Sequence, residues 1–328
     1  MTGGRALPAA ARAVVRGDRR ALAQLITRVE SRDPTVAPVL AALHPRTGHA
    51  RVVGLTGPLG VGKSSLVNAL LAHLRALGKT VGIVAVDPSS PFSGGSVLGD
   101  RIRLERDPAD PGVFIRSMAS RGRAGGVATA TREVVRLLDA AGYDIILVET
   151  VGSGQVDIEI RDVASTSVVV LVPHLGDEVQ TLKAGLFEIA DVFCVNKSDL
   201  PGAEGAARDL SELASLGTAR DGWRPVVVQA SARDRTGIEN LWTAIAAHEA
   251  FLDEDPRRRL ESERRRVATE LVELVRDRVA QEAAERLTAD PAHGRLLKDV
   301  VARRVDPRTA ADRIYARHRK PTTRVRRR

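Results

Sequence analysis

The hydrophobic positions of the chain follow two alternating patterns from residue 51 to about residue 252. Short apolar runs, which predict strands, alternate with stretches of helical periodicity. Several runs are apolar throughout, which is typical of strands buried on both faces. The pattern predicts an α/β fold with a mostly parallel central sheet flanked by helices, and ligands at the carboxyl ends of its strands. The predicted strands are residues 52–56, 80–86, 113–116, 144–149, 167–172, 191–195 and 225–230.

A helical segment precedes this region. Asp18 is placed to cap one helix, and Asp33 with Pro34 opens another. We therefore predict an N-terminal helical extension over residues 1–48, followed by the α/β domain over residues 49–253. The apolar face of the first helix consists of Leu22, Leu25, Ile26 and Val29.

Three helices are predicted after the α/β domain, in a C-terminal region that covers residues 254–328. Residues 253–256 are predicted to form a linker, and residues 258–287 one long helix. Two further helices are predicted to begin at Pro291 and Pro307. The long helix has an apolar stripe that must pack on the body or on a second subunit, and the residues alone leave both open. The stripe consists of Leu260, Val267, Leu271, Leu274, Val275, Val279, Ala283 and Leu287.

Composition narrows the classes of function. No apolar run is long enough to span a bilayer, so we expect no membrane role. The net charge is +9, but the basic residues are dispersed and aromatic residues make up only 3%, which disfavours nucleic acid as a partner. Cys194 is the only cysteine, and the first ten residues lack the apolar core of a signal peptide, so we expect a cytoplasmic protein.

Residues 57–64, Gly-Pro-Leu-Gly-Val-Gly-Lys-Ser, match the phosphate-binding loop pattern between a predicted strand and a predicted helix. The glycines let backbone N–H groups turn toward phosphate oxygens, and the helix N-terminus adds its dipole. Lys63 is predicted to reach the terminal phosphates, and the Ser64 hydroxyl to bind Mg²⁺. The residues predicted to contact the nucleotide phosphates are Gly57, Gly60, Val61, Gly62, Lys63, Ser64 and Ser65.

A second motif, Asn196-Lys197-Ser198-Asp199, follows the predicted strand 191–195 and indicates guanine recognition. The Asp199 carboxylate can accept both the N1–H and the 2-amino hydrogens of guanine, a donor pair that adenine lacks. Asn196 can bond the base edge, and the Lys197 stem can lie over the ring. Ser231 and Ala232, after the strand 225–230, match the last guanine-side loop of GTPases.

Acidic residues follow two further strands. Glu149 stands where GTPases usually carry the Asp of Asp-x-x-Gly, and there a carboxylate would hold Mg²⁺ while the Gly152 N–H senses the γ-phosphate. Asp87 directly follows the predicted strand 80–86. The loop between Asp87 and Asp100 is rich in Pro, Ser and Gly, which is typical of a segment that becomes ordered around a metal–phosphate group.

With these motifs, the chain resembles the MeaB/ArgK family of P-loop GTPases, which assist adenosylcobalamin-dependent acyl-CoA mutases such as methylmalonyl-CoA mutase. The resemblance covers nearly the whole chain, from the predicted helix at residues 16–33 to the last helices. Its most specific segments are residues 86–90, 94–100, 148–155 and 176–185.

The resemblance implies a GTP hydrolase with bound GTP or GDP, gated by a mutase and controlling the loading and protection of its cofactor. It also implies a third switch at residues 176–183, which moves Gln180 and Lys183 toward the nucleotide, and a homodimer built through the C-terminal helices. Lys63, Gln155 and Lys183 are the expected catalytic residues. The implied Mg²⁺ environment consists of Ser64, Asp87, Asp100 and Glu149.

Three alternatives differ in class. A nickel-inserting maturation GTPase shares this fold but needs Cys and His ligands, whereas Cys194 lies in an apolar strand and the seven histidines form no close cluster. A non-enzymatic scaffold would bind GTP only as a structural element. A kinase that uses ATP is disfavoured by Asn196 and Asp199.

Overall fold

The computed structural model describes residues 7–87, 110–119, 126–150, 156–173, 185–216, 221–289 and 291–318. In these residues the predicted strands form a seven-stranded sheet in the order β3-β2-β4-β1-β5-β6-β7, and every neighbouring pair is parallel. This confirms the predicted α/β fold. The strands are β1 (Arg51–Thr56), β2 (Val81–Asp87), β3 (Val113–Ala119), β4 (Ile145–Thr150), β5 (Thr166–Leu171), β6 (Val192–Val195) and β7 (Val226–Gln229).

Helices connect the strands, and further helices precede β1 and follow β7 along the chain. Short 3₁₀ turns lie at Pro34–Val36 and His44–Arg46. The helices are α1 (Ala9–Val15), α2 (Arg19–Glu30), α3 (Ala37–Leu43), α4 (Lys63–Ala76), α5 (Gly126–Ala140), α6 (Val156–Val163), α7 (Gly185–Ile189), α8 (Ala203–Leu216), α9 (Ile238–Glu254), α10 (Pro256–Ala289), α11 (Pro291–Val301) and α12 (Pro307–His318).

Both faces of the strands β4, β5 and β6 are buried, which explains their uninterrupted apolar sequences, whereas the edge strand β7 is partly exposed. Successive residues of β4 alternate between the two cores: Ile146 packs in the core that includes the N-terminal helices, and Leu147 in the core beneath α4 and α9. Because side chains along a strand point to opposite faces, a strand between two cores has no polar side. The carboxyl ends of the central strands remain the edge where polar residues gather.

The N-terminal extension begins as its capping residues predict. The Asp18 carboxylate accepts hydrogen bonds from the backbone N–H groups of Arg20, at 2.9 Å, and Ala21, at 3.0 Å. The Asp33 carboxylate accepts from the Thr35 N–H at 2.8 Å, where Pro34 opens the first 3₁₀ turn. The predicted apolar face of α2 is buried against the first core.

The predicted linker at residues 253–256 is wrong. Helix α9 continues to Glu254 and α10 begins at Pro256, so that only Asp255, with φ −126° and ψ 107°, separates the two helices. The acidic run does not loosen the chain because Asp253 is paired: its carboxylate accepts from Arg51 Nη2 at 2.5 Å and from Arg259 Nε at 2.6 Å.

A buried carboxylate strengthens this junction at the amino ends of β1 and β5. Glu249 accepts from Arg259 Nη2 at 2.8 Å, from Arg51 Nη1 at 3.1 Å and from the Thr166 hydroxyl at 2.8 Å. Burial raises the pKa of Glu249, but the hydrogen bonds from Arg259, Ser165 and Thr166 outweigh it and hold the pKa below its usual value. Helix α9 and the first turns of α10 are thereby fixed to the edge opposite the phosphate loop.

The chain divides into two compact units, residues 1–267 and residues 268–328, and α10 runs from the first into the second. In the second unit, α12 begins as predicted at Pro307, where the Asp306 carboxylate accepts from the Thr309 N–H at 2.9 Å. Among the described residues, none of the helices is both long and apolar enough to cross a membrane.

Candidate functional site

The phosphate loop joins the carboxyl end of β1 to the start of α4 at the centre of the sheet. Gly57, Gly60 and Gly62 have φ values of 139°, 79° and 89°, in a region that disfavours other residues. A Cβ on Gly57 would lie 2.2 Å from the Val170 carbonyl oxygen, and one on Gly62 would lie 2.6 Å from Asn196 Nδ2. The loop is therefore packed against β5 and the guanine motif, with no room for side chains at these two positions.

Lys63 is the first residue of α4, and its side chain folds back into the loop. The residue is only 6% exposed, and its ammonium group donates to the carbonyl oxygens of Gly57, at 2.6 Å, and Pro58, at 2.9 Å. Carbonyl dipoles stabilise the buried charge, which would otherwise carry a large desolvation cost. The cation is thus held beside the helix N-terminus, where both groups attract phosphate.

Ser64 and Glu149 meet beside the loop. Register pairs Leu55 of β1 with Glu149 of β4, so the carboxylate lies next to the strand that feeds the loop. The Ser64 hydroxyl donates to Glu149 Oε1 at 2.6 Å. A hydroxyl and a carboxylate at this distance are hard oxygen ligands of the kind that Mg²⁺ prefers, so the two side chains fit the ion.

The backbone of Asp87 ends β2, the strand on the other side of β4, and so lies at the same edge of the sheet. The side chain of Asp87 lies outside the described part of the structure. The other predicted site residues outside the described ranges are Asp100, Gly152, Gln155, Gln180 and Lys183.

Asn196 connects the guanine motif to the phosphate loop. Its buried side chain donates through Nδ2 to the Val61 carbonyl oxygen at 2.8 Å and accepts through Oδ1 from the Ala232 N–H at 3.1 Å. The Lys197 ammonium donates to the Gly60 carbonyl oxygen at 2.8 Å. The structure therefore brings together the three segments that the sequence predicts to surround the nucleotide.

Asp199 faces the last guanine-side loop. The buried Ser231 hydroxyl donates to Asp199 Oδ1 at 2.7 Å, and this hydrogen bond is the main reason that the pKa of Asp199 lies below its usual value. The carboxylate is therefore ionised at neutral pH, which is the state that accepts hydrogen bonds from guanine.

Sequence reasoning missed Asp234, which supports Ser231. The Asp234 backbone N–H donates to the Ser231 hydroxyl oxygen at 3.2 Å, and the Ser231 N–H donates to the Thr236 carbonyl oxygen at 3.0 Å. The Ser-x-x-Asp spacing is typical of a turn closed by a serine side chain and was available in the sequence. This turn holds the hydroxyl in place against Asp199.

Nickel insertion, one of the alternatives, needs Cys and His ligands. The described residues contain no group of three or more His, Cys, Asp or Glu side chains that could hold a metal ion. Cys194 is fully buried in β6, and burial raises the pKa of its thiol to about 12, far from the thiolate that binds nickel.

A glycine loop around a buried lysine, an oxygen pair suited to Mg²⁺ and an Asn-Lys-x-Asp segment on one sheet edge define a P-loop GTPase. The model of the family described as methylmalonyl Co-A mutase-associated GTPase MeaB matches residues 22–288, and the chain belongs to this family. It therefore binds guanine nucleotides and hydrolyses GTP.

Relatives support the assignment over most of the chain. A putative GTPase of Pyrococcus abyssi is 45% identical over 302 residues, which cover 91% of this chain and 93% of the relative. The mouse protein named methylmalonic aciduria type A homolog, mitochondrial, is 38% identical, over 70% of this chain and 60% of its own length. A crystal structure titled LAO/AO transport system kinase superposes with a TM-score of 0.70 at 28% identity, over 98% of this chain and 100% of that chain.

Proposed function

We propose that this GTPase serves an adenosylcobalamin-dependent acyl-CoA mutase of the methylmalonyl-CoA mutase type, and that its nucleotide state gates the loading and protection of the mutase cofactor. The observation that carries the proposal is the family match over residues 22–288, whose description names association with that mutase. Nucleotide state can act on a partner only through segments that differ between GTP and GDP. The candidates are the loop between Asp87 and Asp100, residues 151–155 and residues 176–183, which follow β2, β4 and β5 along the chain.

In this proposal Ser64 and Glu149 hold Mg²⁺, together with Asp87 and Asp100. The ion, when bound, neutralises charge that develops on the phosphate oxygens. Lys63 and the loop N–H groups stabilise the transferring phosphoryl group. Gln155 is the candidate for orienting the attacking water, and Lys183 supplies positive charge when residues 176–183 and Gln180 approach the nucleotide.

The proposal is tested by mixing the purified protein with candidate mutases and measuring GTP hydrolysis. The cognate mutase should change the hydrolysis rate, and transfer of adenosylcobalamin to the mutase should differ between GTP and GDP. An acyl-CoA enzyme that does not use cobalamin is the matched partner control. An unchanged rate with every adenosylcobalamin-dependent mutase would contradict the gating proposal and leave the GTPase assignment intact.

We also propose that the protein is a homodimer that pairs through its C-terminal helices. The support is the predicted stripe on α10, which includes exposed apolar residues: Leu271 is 57% exposed and Val275 is 62% exposed. Contiguous apolar surface of this kind is typical of an interaction site. A second copy of α10 would cover it.

Val275→Asp is expected to dissociate this dimer, because each interface would bury two unpaired carboxylates at a cost of several kcal/mol. Light scattering over a dilution series should shift from twice the chain mass of 35.2 kDa toward the single mass. Ala284→Asp is the control: it adds the same charge at an exposed position about 180° round the helix from Val275. A monomeric wild-type protein, or an equal effect of both variants, would contradict the proposed interface.

A further inference from the structure

Two buried threonine hydroxyls are hydrogen-bonded to each other next to the phosphate loop. Thr56 is the last residue of β1, directly before Gly57, and Thr150 is the last residue of β4, directly after Glu149. They are 0% and 3% exposed. The Thr150 hydroxyl donates to the Thr56 hydroxyl oxygen at 2.9 Å and lies 3.5 Å from the Leu55 carbonyl oxygen.

These hydroxyls are unusual in their surroundings. The strands on both sides of the pair are built mainly from valine, leucine and isoleucine, and a valine has nearly the shape of a threonine. A buried hydroxyl costs free energy unless it is hydrogen-bonded, whereas a valine at the same place would gain by burial. Two threonines at facing positions 94 residues apart therefore indicate that their hydroxyls are needed as hydrogen-bonding groups.

The register of the strands shows what the bond holds. Backbone pairing between β1 and β4 runs from Arg51 with Ile145 to Leu55 with Glu149, and Thr150 pairs on its other side with Val86 of β2. The bond between the hydroxyls extends the contact between β1 and β4 by one residue. It acts where β1 becomes the phosphate loop and where β4 presents its carboxylate.

We propose that Thr56 and Thr150 are positioning residues that hold Glu149 at bonding distance from Ser64, and so set the geometry of the Mg²⁺ ligands. This inference rests on the Mg²⁺ site of the proposed function. The 2.6 Å bond between Ser64 and Glu149 joins the helix after β1 to the end of β4, so it depends on how the tips of those strands are held together. The hydrogen bond between the two threonines also fixes the position of Thr150, the last residue of β4.

Thr150→Val keeps the shape of the side chain and removes the donor. Binding of GDP and of a non-hydrolysable GTP analogue is measured by calorimetry, with Mg²⁺ and with a chelator. The gain in affinity on adding Mg²⁺ should fall about tenfold, the equivalent of one buried hydrogen bond, whereas affinity in chelator should stay within about twofold. Thr150→Ser, which keeps the hydroxyl, should retain most of the gain, and Thr56→Val should reproduce the loss.

Thr131→Val is the matched control. Thr131 is a buried threonine of α5 whose hydroxyl has no hydrogen-bond partner among the described residues, so its loss should leave the Mg²⁺ gain unchanged. Thermal unfolding of every variant shows whether it folds. A full Mg²⁺ gain in Thr150→Val, or equal losses with and without Mg²⁺, would overturn the inference. An unchanged gain in Ser64→Ala and Glu149→Gln would instead overturn the proposed Mg²⁺ site.

Discussion

Replacing Lys63 by alanine should lower kcat/KM for GTP hydrolysis by a factor on the order of 10² or more, because it removes the positive charge that we propose to stabilise the transferring phosphoryl group. The structure holds that charge inside the phosphate loop, 2.6 Å from the Gly57 carbonyl oxygen and 2.9 Å from that of Pro58. Hydrolysis is measured in single turnover with enzyme in excess, so that slow product release cannot conceal the effect.

Lys79→Ala is the matched control for this prediction. Lys79 is exposed and lies just after the C-terminal end of α4, whereas the phosphate loop precedes the N-terminal end of that helix. Its removal should change the rate less than about twofold, as surface substitutions usually do. Hydrolysis by Lys63→Ala at the wild-type rate would exclude Lys63 from the catalytic machinery, provided that the thermal unfolding midpoint shows a folded protein.

Asp199→Asn should exchange guanine preference for xanthine preference. In the predicted mode of base recognition, the Asp199 carboxylate accepts from the N1–H and 2-amino groups of guanine. The amide N–H₂ group of an asparagine would place a second donor opposite the 2-amino group. Xanthine carries a carbonyl oxygen at that position, which the amide can bond. Affinity for GTP should fall by a factor on the order of 10 to 10², as expected for hydrogen bonds to a charged group, and affinity for xanthosine triphosphate should rise.

Competition binding with GTP, ATP and xanthosine triphosphate measures both changes at once. Asp209→Asn, an exposed aspartate on α8, removes the same charge and should leave the preference unaltered. If Asp199→Asn binds GTP as the wild type does, the base is read by other residues. A comparable rise in ATP affinity would show loss of selectivity without the predicted exchange.

Much of the fold follows from signals that are local in the sequence. All seven predicted strands are present, with each end within three residues of its predicted position. The central strands were predictable because burial on both faces requires continuous apolar runs. Asp18 and Asp33 accept backbone hydrogen bonds only two or three residues away, which is why capping residues are readable from sequence. The phosphate loop and the guanine motif are equally local.

The features that sequence reasoning missed depend on residues that are distant along the chain. Arg51 donates a hydrogen bond to Glu249, which is 198 positions away in the sequence. This contact lies at the junction that was predicted to be a linker and where the helix instead continues to Glu254. Thr56 and Thr150 look like ordinary strand residues until the order of the strands brings them together. Asn196 was predicted to meet the base, and its bonds to Val61 and Ala232 became visible only with the loops in place.

The hydrogen bonds from Asn196 and Lys197 join the segment predicted to recognise the base to the loop predicted to bind the phosphates. The guanine-reading segment is therefore not a detachable module. Replacing the segment after β6 by one that recognises adenine would also remove the two hydrogen bonds that Asn196 and Lys197 donate to the phosphate loop. Changing the nucleotide preference of this protein by segment exchange consequently requires redesigning both loops together, whereas a single change at Asp199 leaves those two hydrogen bonds in place.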